Sequence, residues 1–420
     1  MPADGLIRGA PDEGARAGVR TATDERPYPV ERDGNEVLLL EGGDQFFPAL
    51  ELALAQARAQ VFVETYIFHD DPAASRVAGA MCEAAARGVR VHLVVDGYGT
   101  PRMPAGIERA LRAAGVRVET FRPDRGRFAL SRSRLRRLHR KIAVVDDAVA
   151  FVGGINFVDD RADPRLGALD APRFDFAVRV RGPLVADVLR AAQRLWTEVS
   201  IRNRPLRALR EAALQWRLGP PAPPAHAGRL RAMLVLRDNV RFRRTIEREY
   251  LRAMLRARRE ITIASAYFFP GARFRRALVR AAARGVRVTL LLQGRVEYAI
   301  QHYASQALYD ELLRAGVEIV EYRASFLHAK VAVIDDWATV GSSNIDPFSL
   351  LLAREANVVV RDGEFASALR ARLAQAIASA GTPVQLRRHA RRPWPVRVLN
   401  VIGFALLRLG VAITGVGGRY

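Results

Sequence analysis

The sequence contains two copies of one pattern, in the same order and with similar spacing. The run Ala84–Val91 recurs unchanged as Ala281–Val288, and each copy ends a helical pattern and enters an apolar strand pattern. A second shared pattern, H-x-K-x4-D, begins at His139 and again at His328. A long pattern repeated in order indicates two copies of one structural unit. The chain is therefore predicted to fold as two similar repeats.

Each repeat is predicted to be an α/β unit, because helical patterns alternate with short β-branched strand patterns in both copies. At 420 residues the chain is long enough for two hydrophobic cores. We expect two pseudo-symmetric α/β/α sandwich repeats that share one active site at their interface. The predicted parts are a disordered N-terminal tail, a first repeat, a proline-rich linker, a second repeat and a basic, apolar C-terminal segment, at 1–35, 36–205, 206–228, 229–380 and 381–420.

Lysine is almost absent from this basic chain. Of its 66 lysine and arginine residues only two, Lys141 and Lys330, are lysines, and each lies two positions after a histidine. Side chains two apart on a strand share a face, so each H-x-K pair is predicted to point the same way. A compact ammonium in a chain that otherwise uses arginine indicates a position that a planar guanidinium does not fit.

The paired groups suit the chemistry of a phosphodiester. One histidine can attack phosphorus while the other protonates the leaving alkoxide. The lysines, with Asn156, Ser342 and Asn344, are expected to hold the phosphate oxygens. The sequence has no metal-ligand pattern such as H-E-x-x-H, and no cofactor is predicted. We expect ordinary structural or surface roles for the remaining histidines: His69, His92, His226, His302 and His389.

Four carboxylates accompany the motifs. Asp146 and Asp335 complete the two H-x-K-x4-D patterns and are grouped with the catalytic residues. Their odd offset of seven residues places each on the face opposite its histidine, so we expect them to fix the following turn. Asp175 and Glu355 begin the next apolar strand in each copy and are the candidates for orienting the imidazoles. The alternative is that these two carboxylates only cap the ends of strands.

The pattern H-x-K-x4-D followed by G-G/S-x-N, present twice, resembles the phospholipase D superfamily. From about Val37 to the C-terminus the chain is similar to the bacterial cardiolipin synthases of that superfamily, in Glu64–Phe68, Asp96–Gly99, Arg137–Ile142, Ala266–Gly271 and Trp337–Asn344. The resemblance implies transfer of a phosphatidyl group from one phosphatidylglycerol to another through a phosphohistidine, with release of glycerol. It also implies His139 as the nucleophile and His328 as the acid and base.

The two copies differ near the motifs. The turn of the second copy is one residue shorter, with five residues between Asp335 and Gly341. Gly154 stands where the resemblance leads us to expect a serine, so only Ser342 offers a hydroxyl at this position. We therefore expect two half-sites that are not interchangeable.

The net charge of +22 favours an anionic partner, either nucleic acid or an anionic membrane. No run approaches the ~18 uninterrupted apolar residues of a spanning helix. The C-terminus favours a membrane, because Arg387–Trp394 is basic with an aromatic residue and Val398–Val416 is largely apolar, which is typical of an interfacial anchor. Packing of this segment on the core or in an oligomer is the alternative. The basic stretch Arg125–Arg140 is expected to hold anionic headgroups near the site or to be a solvated loop.

The predicted protein is thus a peripheral enzyme on the cytoplasmic face of a bacterial membrane. Its predicted partners are phosphatidylglycerol, other anionic phospholipids and the membrane surface, and no nucleic acid. Two alternatives stay open: a phospholipid hydrolase with the same intermediate, resolved by water, and a nuclease of the same superfamily. The oligomeric state is not predicted.

Overall fold

The computed structural model describes residues 29–123, 136–163, 167–203, 224–238 and 242–413. The first repeat contains, in chain order, β1 (Arg32–Glu41), α1 (Gly42–Gln56), β2 (Gln60–Thr65), α2 (Pro72–Ala86), β3 (Arg90–Asp96), α3 (Ala105–Ala113), β4 (Arg117–Phe121), β5 (Lys141–Val145), β6 (Val149–Gly153), β7 (Ala162–Asp163), β8 (Gly167–Ala168), β9 (Phe176–Arg181) and α4 (Leu184–Asn203).

The second repeat has a closely similar order of elements. It contains β10 (Leu230–Arg237), α5 (Thr245–Arg256), β11 (Glu260–Ser265), α6 (Ala272–Ala283), β12 (Arg287–Gln293), α7 (Ala299–Gln306), α8 (Tyr309–Arg314), β13 (Glu318–Tyr322), β14 (Lys330–Ile334), β15 (Trp337–Gly341), α9 (Pro347–Leu351), β16 (Glu355–Arg361) and α10 (Gly363–Ala380). The chain continues through β17 (Gly381–Pro383), α11 (Leu386–Ala390) and α12 (Trp394–Ile413).

The identical run found in the sequence forms the same local structure twice. It ends α2 and α6, turns, and enters β3 and β12. The turn requires a left-handed backbone, with φ of +88° at Gly88 and +84° at Gly285, where glycine has no Cβ to clash. Helix α2 begins where Asp71 accepts a hydrogen bond from the backbone N–H of Ala74.

Among the described residues, all strands except the antiparallel pair β7 and β8 form one sheet of 15 strands. The order is β17-β13-β12-β11-β14-β15-β16-β10-β1-β9-β6-β5-β2-β3-β4. Read outward from the centre, β1-β9-β6-β5-β2-β3-β4 mirrors β10-β16-β15-β14-β11-β12-β13. The two halves join where β1 pairs antiparallel with β10. This pseudo-two-fold arrangement makes the two repeats neighbours along their first strands.

Helices cover both faces of each half-sheet. Helices α1, α2 and α3 pack on one face of the first half, and α5, α6 and α8 pack on the matching face of the second. The other faces of both halves share a single core with α4 and α10. Because both faces are covered, strands such as β5 and β14 are buried at every residue. The mixed α/β architecture with two similar repeats was predicted from the sequence.

Two predicted boundaries shift in the structure. Strand β1 begins at Arg32, within the predicted tail, because it pairs with β9 and β10. Strand β17 pairs with β13, so Gly381–Pro383 belongs to the second repeat's half of the sheet rather than to the C-terminal segment. The rest of the predicted tail up to residue 28, most of the linker, and residues 125–135 of the basic stretch lie outside the described residues.

The one-residue difference between the motifs falls in a hairpin turn. Strands β5 and β6 pair Val145 with Val149, whereas β14 and β15 pair Ile334 with Trp337. The extra residue of the first copy is thus absorbed at the end of the hairpin away from the histidines. The strand ends that carry the G-G/S-x-N segments keep equivalent positions.

Candidate active site

The histidines of the two H-x-K pairs line one cavity between the repeats, of about 850 Å³. Each lies just before a buried strand, His139 before β5 and His328 before β14. Both side chains are mostly buried, with 15% of His139 and 19% of His328 exposed. The fold therefore places one histidine from each repeat at a shared site.

Each histidine is held by backbone contacts with the opposite repeat. The N–H of His139 donates to the carbonyl of Arg354, at 2.9 Å, and the N–H of His328 donates to the carbonyl of Phe174, also at 2.9 Å. Parallel bridges pair Leu138 with Arg354 and Phe174 with Leu327. The segment that contains each histidine thus pairs with the residue just before Glu355 or Asp175 in the other repeat.

The carboxylates follow the same exchange. His139 Nδ1 lies 3.0 and 3.1 Å from the two oxygens of Glu355, and His328 Nδ1 lies 2.6 Å from Asp175 Oδ2. Each carboxylate is therefore placed against the imidazole of the other repeat. A hydrogen bond from Nδ1–H to a carboxylate sets the tautomer and leaves Nε2 for chemistry.

Burial governs the protonation of both imidazoles. It is the main cause that lowers the pKa of His139, which Glu355 opposes. For His328, burial and then the Lys330 ammonium lower the pKa to about 3, against the opposing effect of Asp175. Burial itself would raise the pKa of Asp175, but Lys330 and His328 together lower it below its ordinary value. In the free protein these shifts favour the neutral form of both imidazoles and the ionised form of Asp175.

The two lysines lie behind the histidines rather than on the cavity wall. Lys141 Nζ donates to the carbonyl of its own His139 at 2.7 Å, and Lys330 Nζ donates to that of His328. Lys330 Nζ also lies 3.7 Å from Asp175 Oδ2. Burial lowers the pKa of Lys141 to about 7, with Lys330 adding to the shift. Neither lysine is among the residues that line the cavity, and their contact with phosphate oxygens stays a prediction.

Asp146 and Asp335 lie where the strand-parity argument predicts, and neither lines the cavity, so this geometry gives no support to their grouping with the catalytic residues. Each lies in the turn after its strand, at the end away from the histidine. Asp146 accepts from the backbone N–H groups of residues 58–60, at 2.8–3.0 Å, and Asp335 accepts from those of residues 258–260, at 2.8–3.0 Å. Both have left-handed φ, 53° and 51°. Burial raises the pKa of Asp335, but these N–H groups, with Arg259, hold it below its ordinary value.

Of the three predicted phosphate-binding residues, two line the cavity. These are Asn156 and Asn344, and the Oδ1 atom of Asn344 is buried and has no hydrogen-bond partner among the described residues. Ser342 is fully buried and instead donates to Glu355 Oε2 at 2.5 Å. At the equivalent Gly154, a Cβ atom would lie 2.3 Å from Asp175 Oδ1. The absence of a serine side chain in the first copy makes room for that carboxylate.

The cavity wall includes residues that the sequence analysis did not select. On the first repeat, Arg137 donates to the hydroxyl of Tyr66 at 3.1 Å and lies over the ring of Tyr98. On the second, the hydroxyl of Tyr267 donates to Glu297 at 2.7 Å. His69, expected to be structural, also lines the cavity. Four of these residues lie within segments that carried the family resemblance, which was the available signal for Tyr66, Tyr98, Arg137 and Tyr267.

A duplicated α/β fold that brings two H-x-K histidines to one cavity is the fold and site of the phospholipase D superfamily. The sequence model described as "Cardiolipin synthase, PLD-like domain" matches residues 50–165 and 250–377. The chain belongs to this family of phospholipase D-like cardiolipin synthases.

Curated relatives cover nearly the whole chain. Cardiolipin synthase B of Salmonella typhi is 39% identical over 91% of this chain and 90% of its own length. Cardiolipin synthase B of Escherichia coli K12 is 38% identical over the same shares. Among solved structures, the phosphatidylserine synthase of Haemophilus influenzae Rd KW20 has a TM-score of 0.65 at 11% identity, covering 90% of this chain and 94% of that one. The latter likeness concerns the fold alone.

Proposed function

We propose that this protein is a cardiolipin synthase that transfers a phosphatidyl group from one phosphatidylglycerol to another through a phosphohistidine on His139. The observation that carries the proposal is the pair of histidines at one cavity, each with Nδ1 on a carboxylate of the opposite repeat. Nearly full-length similarity to cardiolipin synthase B supports phosphatidylglycerol as the substrate.

The chemistry divides into two displacements. In the first, His139 Nε2 attacks phosphorus, the bond to the glycerol headgroup breaks, and His328 gives its proton to the departing glycerol. In the second, neutral His328 takes the proton of a hydroxyl on the glycerol headgroup of the second phosphatidylglycerol. That oxygen attacks phosphorus, the P–N bond breaks, and cardiolipin forms with His139 restored.

Charge balance supports one proton on His328 when substrate binds. Lys141 and Lys330, with Asp175 and Glu355, contribute two positive and two negative charges when ionised, which cancel. One phosphodiester adds a single negative charge, which a single imidazolium offsets. Although burial lowers the pKa of His328 in the free protein, the bound anion opposes this shift because it favours the charged ring.

The product test uses purified protein and phosphatidylglycerol vesicles, with lipids resolved by mass spectrometry. Cardiolipin with an equal amount of free glycerol is expected. Phosphatidic acid as the sole product would make the protein a hydrolase, and no lipid turnover would favour the nuclease alternative.

The roles of the histidines are tested with phosphatidyl-p-nitrophenol, whose leaving group departs without protonation. His328→Ala is expected to release about one nitrophenol per enzyme and then stop, because the phosphohistidine forms but no base activates the acceptor. His139→Ala is expected to release none. A stoichiometric burst from His139→Ala and none from His328→Ala would reverse the assignment.

Membrane association is assigned to the outward face of α12, at the cytoplasmic surface of an anionic bilayer. By length and composition alone, one helix among the described residues, Trp394–Ala412, could cross a membrane. In the fold, however, its Gly403 packs against the backbone of α7, and Leu407 and Val411 are buried. A helix with one side committed to the protein favours lying on the bilayer over crossing it.

The exposed side of α12 suits this partner. Trp394, Val401 and Leu409 are exposed by 75%, 65% and 57%. The segment 387–397, which runs into the first turn of α12, contains five arginines. Ile300 on α7 and Val296, which lines the cavity, are also exposed apolar residues, by 51% and 55%. Apolar contact with acyl chains and arginine contact with anionic headgroups would therefore act together beside the site.

The membrane assignment is tested by co-sedimentation with phosphatidylglycerol-containing vesicles. The double variant Val401→Asp/Leu409→Asp is expected to bind vesicles at least tenfold more weakly, yet to retain activity on a soluble short-chain phosphatidylglycerol. The matched control is Leu255→Asp on α5, since Leu255 is also 75% exposed. Equal binding by the double variant and the wild type would contradict the assignment.

A further inference from the structure

The two halves of the cavity differ in charge although the repeats share one fold. Arg137, two positions before His139, lines the first half, whereas Phe326 occupies the equivalent position before His328. In the second half lie Glu297 and Asp346. The first repeat thus contributes side chains of both charges to the wall, whereas the described lining residues of the second repeat include two carboxylates and no arginine or lysine.

One of these two carboxylates arises from an exchange between the repeats. Thr100 lies four positions after Asp96 at the end of β3, and Glu297 lies four positions after Gln293 at the end of β12. The Thr100 hydroxyl is used within the fold, since it donates to the Tyr66 carbonyl at 3.0 Å and accepts from the Phe68 N–H at 2.9 Å. Both residues line the cavity, but Glu297 places a carboxylate there whose hydrogen-bond partner is the hydroxyl of Tyr267 rather than the backbone.

Glu297 is oriented by a side chain that belongs to the same wall. The Tyr267 hydroxyl donates to Glu297 Oε2 at 2.7 Å, and both residues line the cavity with His328. Since a carboxylate offers about four acceptor sites on its two oxygens, this single bond leaves capacity to accept from a ligand. Burial raises the pKa of Glu297, with Tyr267 opposing the shift.

A second, independent group on this wall also indicates a ligand. Asn344 is 3% exposed and lines the cavity, and within the part of the chain that the structure describes its Oδ1 atom has no hydrogen-bond partner. Ser265 joins the backbone beside Asn344 to that of Tyr267. Its hydroxyl donates to the Tyr267 carbonyl at 2.8 Å and accepts from the N–H of Ile345, the residue after Asn344, at 3.3 Å. Buried acceptors of this kind are normally satisfied by a donor, and a hydroxyl is one.

We propose that Glu297, oriented by Tyr267, and Asn344 form a subsite for the vicinal hydroxyls of a polyol. This subsite holds the glycerol that leaves in the first displacement and the glycerol headgroup that arrives in the second. The inference rests on the proposed function, because it assigns an alcohol-binding role within the same cavity. Carboxylate and amide oxygens accept hydrogen bonds from hydroxyls, whereas an anionic phosphate is repelled toward the histidines and Arg137.

The subsite predicts discrimination between alcohols of similar size. Full-length enzyme in mixed micelles with phosphatidylglycerol is given equal concentrations of deuterated glycerol and 1-propanol. Mass spectrometry then measures the ratio of deuterated phosphatidylglycerol to phosphatidylpropanol. Both products arise from one intermediate, so this ratio does not depend on the fraction of active enzyme.

Wild-type enzyme is expected to favour glycerol. Glu297→Leu is expected to lower the product ratio roughly tenfold or more, which corresponds to the loss of a hydrogen bond to a charged group. Tyr267→Phe, which removes one hydroxyl, is expected to lower the ratio severalfold. The matched control is Glu311→Gln, which removes a carboxylate charge from an exposed ion pair with Arg275 and is expected to leave the ratio unchanged.

Two failures are distinguishable. Wild-type enzyme that forms neither cardiolipin nor an alcohol product would overturn the proposed transfer function and the subsite with it, whereas cardiolipin without deuterated phosphatidylglycerol would overturn the subsite alone. Wild-type enzyme that forms both products, with a ratio unchanged within twofold in Glu297→Leu and Tyr267→Phe, would overturn the subsite alone.

Discussion

Replacing Asp175 by asparagine changes the chemistry of His328 while preserving shape. Asp175 Oδ1 accepts from the backbone N–H of Phe176 at 2.8 Å, and Oδ2 faces His328 Nδ1 at 2.6 Å. If the amide oxygen keeps the bond to Phe176, the amide NH2 faces Nδ1 and donates to it. The proton then moves to Nε2, which no longer accepts a proton from the acceptor alcohol. If the amide is reversed, a buried backbone N–H loses its acceptor.

The magnitude follows from these two contacts. A hydrogen bond to a charged group contributes about 1.5–3 kcal/mol, and a positioned acid or base contributes roughly 10²–10⁴ in rate. We therefore expect turnover of phosphatidylglycerol by Asp175→Asn to fall by about 10²–10⁴. The nitrophenol burst should fall by roughly tenfold or less, because that leaving group needs no proton from His328.

The assay compares the two substrates in stopped-flow and product-formation experiments, with Glu355→Gln as the matched variant. Glu355 contacts the proposed nucleophile, His139, so its replacement should slow the nitrophenol burst as strongly as the overall reaction. Circular dichroism and thermal unfolding of both variants check that the fold is retained. Equal losses on both substrates for Asp175→Asn would refute the assignment of His328 as acid and base.

Three further perturbations have expected outcomes. Asp146→Ala and Asp335→Ala each remove the acceptor of three backbone N–H groups at a residue with left-handed φ. Urea denaturation should therefore show a loss of about 2 kcal/mol in the free energy of unfolding, with kcat changed less than threefold. A hundredfold loss of kcat in folded enzyme would instead show that these residues are catalytic. Lys141, with its pKa lowered to about 7, loses its charge as the pH rises, so kcat/KM of the wild type should fall above about pH 7. Lys141→Arg should be less active but should not show this fall at alkaline pH. The same alkaline fall in both enzymes would contradict the assignment to Lys141. Gly154→Ala introduces a Cβ that meets Asp175, so activity on phosphatidylglycerol should fall at least tenfold with an unchanged unfolding transition, and full activity would show that the carboxylate has room to move.

Much of the fold followed from the sequence because both copies carry the same local signals. The alternation of helix and strand patterns, the shared glycine turns and the odd offset of the motif aspartates depend on periods of the backbone itself. These signals are local, so they placed the strands, the turns at Asp146 and Asp335, and the two histidines that line one cavity.

Other features depended on how the copies face each other. Asp175 and Glu355 were identified as orienting groups, but no spacing within one copy indicates that each contacts the histidine of the other. Ser342 has the side chain of a phosphate ligand, yet a buried carboxylate lies within its reach. Glu297 carries no motif, because its role arises from a loop that differs between the repeats.

The exchange of contacts across the pseudo-two-fold axis has a consequence for how the chain can be divided. Each imidazole receives its carboxylate from the opposite half, so neither half contains a complete proton-transfer unit. A chain cut between the halves would yield two inactive fragments, and activity would return only on their reassociation. For the same reason, loss of the carboxylate in one fragment would inactivate the histidine of the other, so the two fragments can act only together.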